Sequence, residues 1–150
     1  MATQAATRFV AAGDWFALGR IPAEVQARPD TAAVLNELKA AHIAFVNLEA
    51  PLTTRGLRAE KQNTLRADPG QVEDLLASGV DIVSLANNHM LDYGVDGLAD
   101  TLSVLERVGI AEVGAGPNLE AARAPFILEG PGGRMGFLAF ASTLPQGFAA

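Results

Sequence analysis

The chain has 150 residues, 49% of them hydrophobic and 19% charged, and a formal net charge of −6. That apolar share is enough for one folded core, while the acidic balance disfavours phosphate backbones as partners, so no nucleic-acid role is expected. With no cysteine in the sequence, disulfides and thiolate metal sites are excluded.

Residues 1–7 lack the basic start and apolar core of a signal peptide. No apolar run approaches the roughly 20 residues needed to span a bilayer. The expectation is a soluble, cytoplasmic chain without a membrane segment.

A first strand is expected over residues 8–12, followed by a turn at Gly13 and Asp14. Residues 19–30, with Pro22 and Pro29, read as loop. Asp30 or Thr31 can cap a helix running to about residue 41, with Ala33, Val34, Leu35 and Leu38 as its apolar stripe and Glu37 on the solvent side. Residues 42–49 form a second strand that ends in Asn47 and Glu49 before Pro51. The charged stretch 53–68 reads as an exposed or mobile excursion. Pro69 opens the next helix, which turns Val72, Leu75 and Leu76 to the core and stops at Gly79.

Residues 81–94 organise the chain. Their first half is a β-branched run of strand length. Their second half gathers Asn87, Asn88, His89 and Asp92. A helix follows over 95–108, with Leu98, Leu102 and Leu105 at helical spacing, then a short strand over 110–115 and a brief helix over 118–123. Residues 125–129 and 134–141 pair as a hairpin around Gly130, Pro131, Gly132 and Gly133, and the tail from 142 has no pattern. Alternating strands and helices predict an α/β domain with a mainly parallel sheet and a C-terminal hairpin. No interior domain boundary is evident.

Three successive strands thus end in polar groups: Asp14, then Asn47 and Glu49, then Asn87, Asn88, His89 and Asp92. In a parallel sheet equivalent ends lie on one edge, where ligands bind. Carboxylates, amide oxygens and an imidazole suit a divalent cation such as Mn²⁺, Fe²⁺, Mg²⁺ or Zn²⁺. Plainer readings stand beside this one. Asp14 reads equally as a turn residue, and Asn47 and Glu49 as the ordinary polar exit of a strand. The Asn87-Asn88 pair reads as a turn in left-handed backbone, and Asp92 as a helix cap. His42 reads as structural, and Trp15 and Phe16 as core. Gly114 and Gly116 follow a strand, but the third position of a dinucleotide fingerprint falls on Leu119, so permissive backbone explains them better.

Taken together, Gly13-Asp14, Asn47-Leu48-Glu49-Ala50-Pro51, Ala86-Asn87-Asn88-His89 with Asp92-Tyr93-Gly94, and Gly114-Ala115-Gly116 resemble the CapA-type capsule or poly-γ-glutamate synthesis proteins. These are a branch of the calcineurin-like metallophosphoesterases, and the resemblance runs over residues 8–141. It implies the N-terminal half of a metallophosphatase-like αββα sandwich with a dinuclear metal site at strand ends. It further implies Asp14 on one metal, Glu49 bridging both and Asn88 on the second. His89 would be the acid near the leaving group, with Asn47, Asn87 and Asp92 orienting these groups by hydrogen bonds. Two cations, Mn, Fe, Zn or Mg, would activate a bridging water against a phosphoester, and an imidazole titrating near neutrality suits proton donation.

The sequence departs from that pattern in its histidines, which are only His42 and His89. The Gly-His and His-x-His elements of the superfamily have no counterpart. The expectation is therefore a domain lacking its C-terminal half, or one that oligomerises, with a weak or inactive site of its own. Two functional readings follow: a metal-dependent phosphoesterase-type hydrolase of capsule or poly-γ-glutamate biosynthesis, or a non-catalytic binding or assembly module for the same polymer.

Overall fold

The computed structural model describes residues 6–16, 18–130 and 132–143. Four parallel strands lie in the order β1 (Phe9–Trp15), β2 (Ile43–Leu48), β3 (Ile82–Ser84) and β4 (Ala111–Val113). Helices link them: α1 (Ala23–Gln26) and α2 (Pro29–Lys39) before β2, α3 (Val72–Ala77) before β3, and α4 (Gly94–Val108) before β4. After α5 (Leu119–Arg123), strands β5 (Phe126–Gly130) and β6 (Gly133–Phe137) pair antiparallel as a separate two-stranded sheet. The chain is α/β with a mainly parallel sheet and a C-terminal hairpin, as expected of part of a metallophosphatase-like sandwich. Among the described residues no helix is long and apolar enough to cross a membrane.

Side chains that alternate along β2 and β3 build two cores. Val46, Leu48, Val83 and Leu85 meet Val72, Leu75, Val104 and Leu105 from α3 and α4. Ile43 and Ile82 turn the other way, with Val113, onto Phe137 of the hairpin. Phe45 stacks on Phe137 at 5.9 Å between ring centroids. The cross-strand pairs keep this alternation in register, Phe45 opposite Ile82 and Val46 opposite Val83. Each fully buried aliphatic side chain here stabilises the fold by about 1.5–3 kcal/mol.

Several local expectations need correction. Residues 19–30 are not all loop, because Pro22 and Pro29 start helices rather than prevent them. Pro29 is the first residue of α2, where its fixed φ is already helical and its missing N–H costs nothing. Arg28 is the capping position, so Asp30 and Thr31 lie inside the first turn. Only Leu35 and Leu38 of the expected stripe are buried, and Val34 is exposed. After one 3-10 turn at Pro69–Gln71, α3 buries Val72 and Leu75 but leaves Leu76 out. Val34 and Leu76 each sit about 100° around the helix from the buried leucine beside them, which turns them off the face that meets the core.

Trp15 and Phe16 pack against the larger core. His42 accepts a hydrogen bond at Nδ1 from the backbone N–H of Arg8 at 2.7 Å, a structural use. The glycine at 114 has φ +87°, and a Cβ there would lie 2.5 Å from that of Ala86. Close packing therefore accounts for this glycine. Residues 1–5, Pro131 of the hairpin turn and the tail from residue 144 lie outside the described residues.

Candidate functional site at the strand ends

The register of the sheet brings the polar strand ends together. Asp14 pairs with Asn47 across β1 and β2, and Asn47 with Ser84 across β2 and β3. The side chains then form a row. Asn47 Nδ2 donates to Asp14 Oδ1 at 2.7 Å. Asn87 Nδ2 donates to Asn47 Oδ1 at 3.1 Å and to the carbonyl of Leu48 at 2.9 Å. The Asn87 carbonyl oxygen accepts from the N–H groups of His89 and Met90 at 2.9 and 3.0 Å. Both faces of that amide are used, which only an Asn or Gln could satisfy. No described residue other than glycine has positive φ, so neither Asn87 nor Asn88 occupies the left-handed conformation that a bare turn reading allows.

A second group surrounds His89. Its Nδ1 lies 2.7 Å from Asp92 Oδ2, and its Nε2 faces Glu49 Oε1 at 3.9 Å. Asp92 is fully buried. It does not cap α4, whose capping position is Tyr93 without a side-chain bond. Its carboxylate instead turns inward, accepting the N–H of Leu65 at 2.6 Å and lying 2.5 Å from the ammonium of Lys61. A carboxylate in a dry interior needs such partners, because an unpaired buried charge costs several kcal/mol. The 2.7 Å contact assigns the ring proton to Nδ1, leaving Nε2 toward the open edge.

Lys61 escaped the sequence reading. It sits in the 53–68 excursion, which is closed by a bridge between Leu52 and Ala67 and by the bond from Thr53 N to Ala67 O at 3.0 Å. The excursion is tied along its length, too. The Ala59 N–H donates to the carbonyl of Asp92 at 2.8 Å, and Lys61 Nζ to that of Asn88 at 2.7 Å. Arg55 and Thr53 both bond Asp100 of α4, and together they hold its carboxyl below the usual range. Gly56 passes under Tyr93 with φ +88°, so closely that a Cβ would stand 2.0 Å from the Tyr93 carbonyl oxygen. The stretch is an exposed excursion, as expected, but contacts 27–47 residues away in sequence pin it, and no local pattern records them.

Asp14, Glu49 and Asn88 are less firmly held. Asp14 is exposed, and Asn88 offers Lys61 its backbone oxygen while its side chain faces solvent. Beside Asn87 an apolar cleft of about 390 Å³ opens, walled by Leu91, Val95, Leu98, Leu119 and Phe140.

Residues 8–149 match the family described as bacterial capsule synthesis protein PGA_cap. The chain belongs to this family. A probable polyglutamine synthesis accessory protein of Mycobacterium tuberculosis is 41% identical over 109 residues, covering 70% of this chain. The PGA biosynthesis protein CapA of Bacillus subtilis is 32% identical over 69% of the chain. The capsule biosynthesis protein CapA of Bacillus anthracis is 36% identical over 42% of it. The matched stretch amounts to 28% of the length of the first two relatives and 15% of the third.

The implied pair of cations can be tested against the donors of this PGA_cap chain. Among the described residues no three His, Cys, Asp or Glu side chains are grouped so as to hold a metal ion. Asp14 and Glu49 end neighbouring strands, but Asp14 Oδ1 is already bonded to Asn47 and Asn88 adds only a neutral amide. Two carboxylates and one amide do not fill the coordination of two divalent ions. The described residues therefore do not fit a dinuclear centre.

Proposed function

We propose that this chain supplies one edge of a hydrolase-type site in a protein of capsule or poly-γ-glutamate biosynthesis, with His89 as the proton-transferring residue. The observation that carries the reading is the His89–Asp92 contact of 2.7 Å, made by a carboxylate with no solvent exposure. A buried, hydrogen-bonded carboxylate behind an imidazole fixes its tautomer and aims the distal nitrogen. Protonated, Nε2 can donate to a departing oxygen, and neutral, it can accept a proton from water. Glu49 borders the same space. The Asn87 and Asn47 amides hold the strand ends at fixed spacing, so a bound ester would meet a preorganised edge.

Asp14, Glu49 and Asn88 are the residues through which this edge would meet a divalent cation, with Mn, Fe, Zn and Mg all compatible with oxygen donors. Metal would supply electrophilic activation of a phosphoester oxygen. On its own, the set of described residues offers proton transfer and orientation.

The test is hydrolysis of an aryl phosphodiester, with and without Mn²⁺, by a longer form of the protein in which the rest of the site completes this edge. The expected result there is turnover that falls about 100-fold in His89→Ala and also falls in Glu49→Ala. Turnover unaffected by either substitution, or none under any condition, overturns the hydrolase reading.

A further inference from the structure

We propose that Lys61 is a positioning residue for His89. It clamps the Asp92 carboxylate from the excursion side, so that one oxygen stays turned to Nδ1 and Nε2 stays presented to the open edge. The inference rests on the hydrolase reading for its purpose, though not for its test.

The geometry is specific. Lys61 Nζ lies 2.5 Å from Asp92 Oδ1, 2.7 Å from the Asn88 carbonyl and 3.3 Å from His89 Nδ1. An ammonium carries donors only. It cannot accept the ring proton, so that proton has one destination within reach, Asp92 Oδ2 at 2.7 Å. The two carboxylate oxygens are thereby divided: Oδ1 meets the ammonium as an ion pair and has no hydrogen bond among the described residues, while Oδ2 takes the Leu65 N–H and the imidazole. Rotation of the carboxylate would break three contacts at once. The grip on Asn88 fixes the backbone immediately before His89, so ring and carboxylate are set from the same point.

Ordering a lysine side chain costs rotamer freedom, but without the ammonium the buried Asp92 carboxylate would stand as an uncompensated charge. The Lys61 side chain is only 23% exposed, and Asp92 not at all. Among the described residues no comparable ion pair holds Asp14 at the far end of the edge.

A counter-ion role alone would require nothing of the imidazole, and this separates the two accounts. The experiment is ¹⁵N NMR of the His89 ring at one fixed pH for all variants, together with amide hydrogen exchange. Wild type is expected to show the Nδ1–H tautomer alone. In Lys61→Met the ring signals should move to a mixture of tautomers, and the Leu65 amide should exchange at least 10-fold faster while amides of β2 and β3 keep their protection. In the Lys61→Gln variant, which keeps a donor but no charge, both signals should fall between the two. Wild-type ring signals in Lys61→Met overturn the proposal. Should Lys61→Met fail to fold, wild-type ring signals in a folded Lys61→Gln do the same. With the phosphodiester, Lys61→Met should lower kcat and leave KM in place. Absence of turnover in every variant would count against the hydrolase reading, while the ring and exchange signals would still decide the role of Lys61.

Discussion

The two ends of the polar edge are built differently. At the β3 end, Asn87, His89 and Asp92 are locked by bonds to β2, to their own loop and to the excursion. At the β1 end, Asp14 is exposed on an edge strand, where the bond from Asn47 is the one side-chain contact it makes among the described residues. Both ends look alike in sequence, a short apolar run followed by polar groups. What separates them is position in the sheet: β3 has strands on both sides, a helix layer against it and an excursion folded over its exit. Preorganisation therefore falls off across the edge, from the His89 side toward Asp14.

The sharpest way to break this contrast is to remove Asp92. Asp92→Ala takes the counter-charge from the Lys61 ammonium and the acceptor from the Leu65 N–H and His89 Nδ1, and a loss of about 3–5 kcal/mol is expected by urea unfolding. A loss under about 1 kcal/mol would mean that the β3 end is no more rigid than the β1 end. Asn87→Ala comes next. It orphans the N–H groups of His89 and Met90 and the Asn47 carbonyl oxygen, for a loss of about 1–3 kcal/mol in the same measurement. Asp14→Ala should cost less than about 1 kcal/mol, since one exposed bond is removed. The smallest effect is on the opposite edge strand. Burial, reinforced by Glu106, pushes the Glu112 carboxyl on β4 above its usual range. Its charged form is thus disfavoured in the folded state, and its contribution to stability is full below the ordinary carboxylate pKa and lost as pH rises through the raised value. Glu112→Gln should therefore raise Tm by about one or two degrees at pH 7, and the gain should vanish in acid below the unperturbed value of 4.5. A gain that persists in acid would point to something other than the charge.

Local chemistry made the sheet legible. Apolar runs of strand length locate the elements, though β1 runs on to Trp15 through the turn expected at Gly13 and Asp14, and β6 ends at Phe137 rather than at 141. Chain order alone also placed Asp14, Asn47 and Asn87 on one edge, because parallel strands share their ends. Three features were not readable. Pro29 forces the residue before it to be extended, which suits a loop as well as a helix start, and the local sequence does not choose between them. Asp92 reads as a helix cap in every local respect, and only the fold of a distant segment over it turns the carboxylate inward. Lys61 sits among polar and charged neighbours with no periodicity, so nothing within ten residues distinguishes it from a solvated lysine. The family resemblance named the residues at the edge, but the clamp that holds His89 became visible only in three dimensions.

Gly56 has a practical bearing on redesign. The space beneath the Tyr93 carbonyl admits a hydrogen and nothing larger, so even alanine there would force the excursion away from the rest of the chain. Leu57, Gln62 and Asn63, by contrast, project into solvent and tolerate change. A library aimed at retuning what this face accepts could randomise those three positions freely while keeping residue 56 invariant, and clones recovered with any other residue at 56 would carry compensating changes near Tyr93.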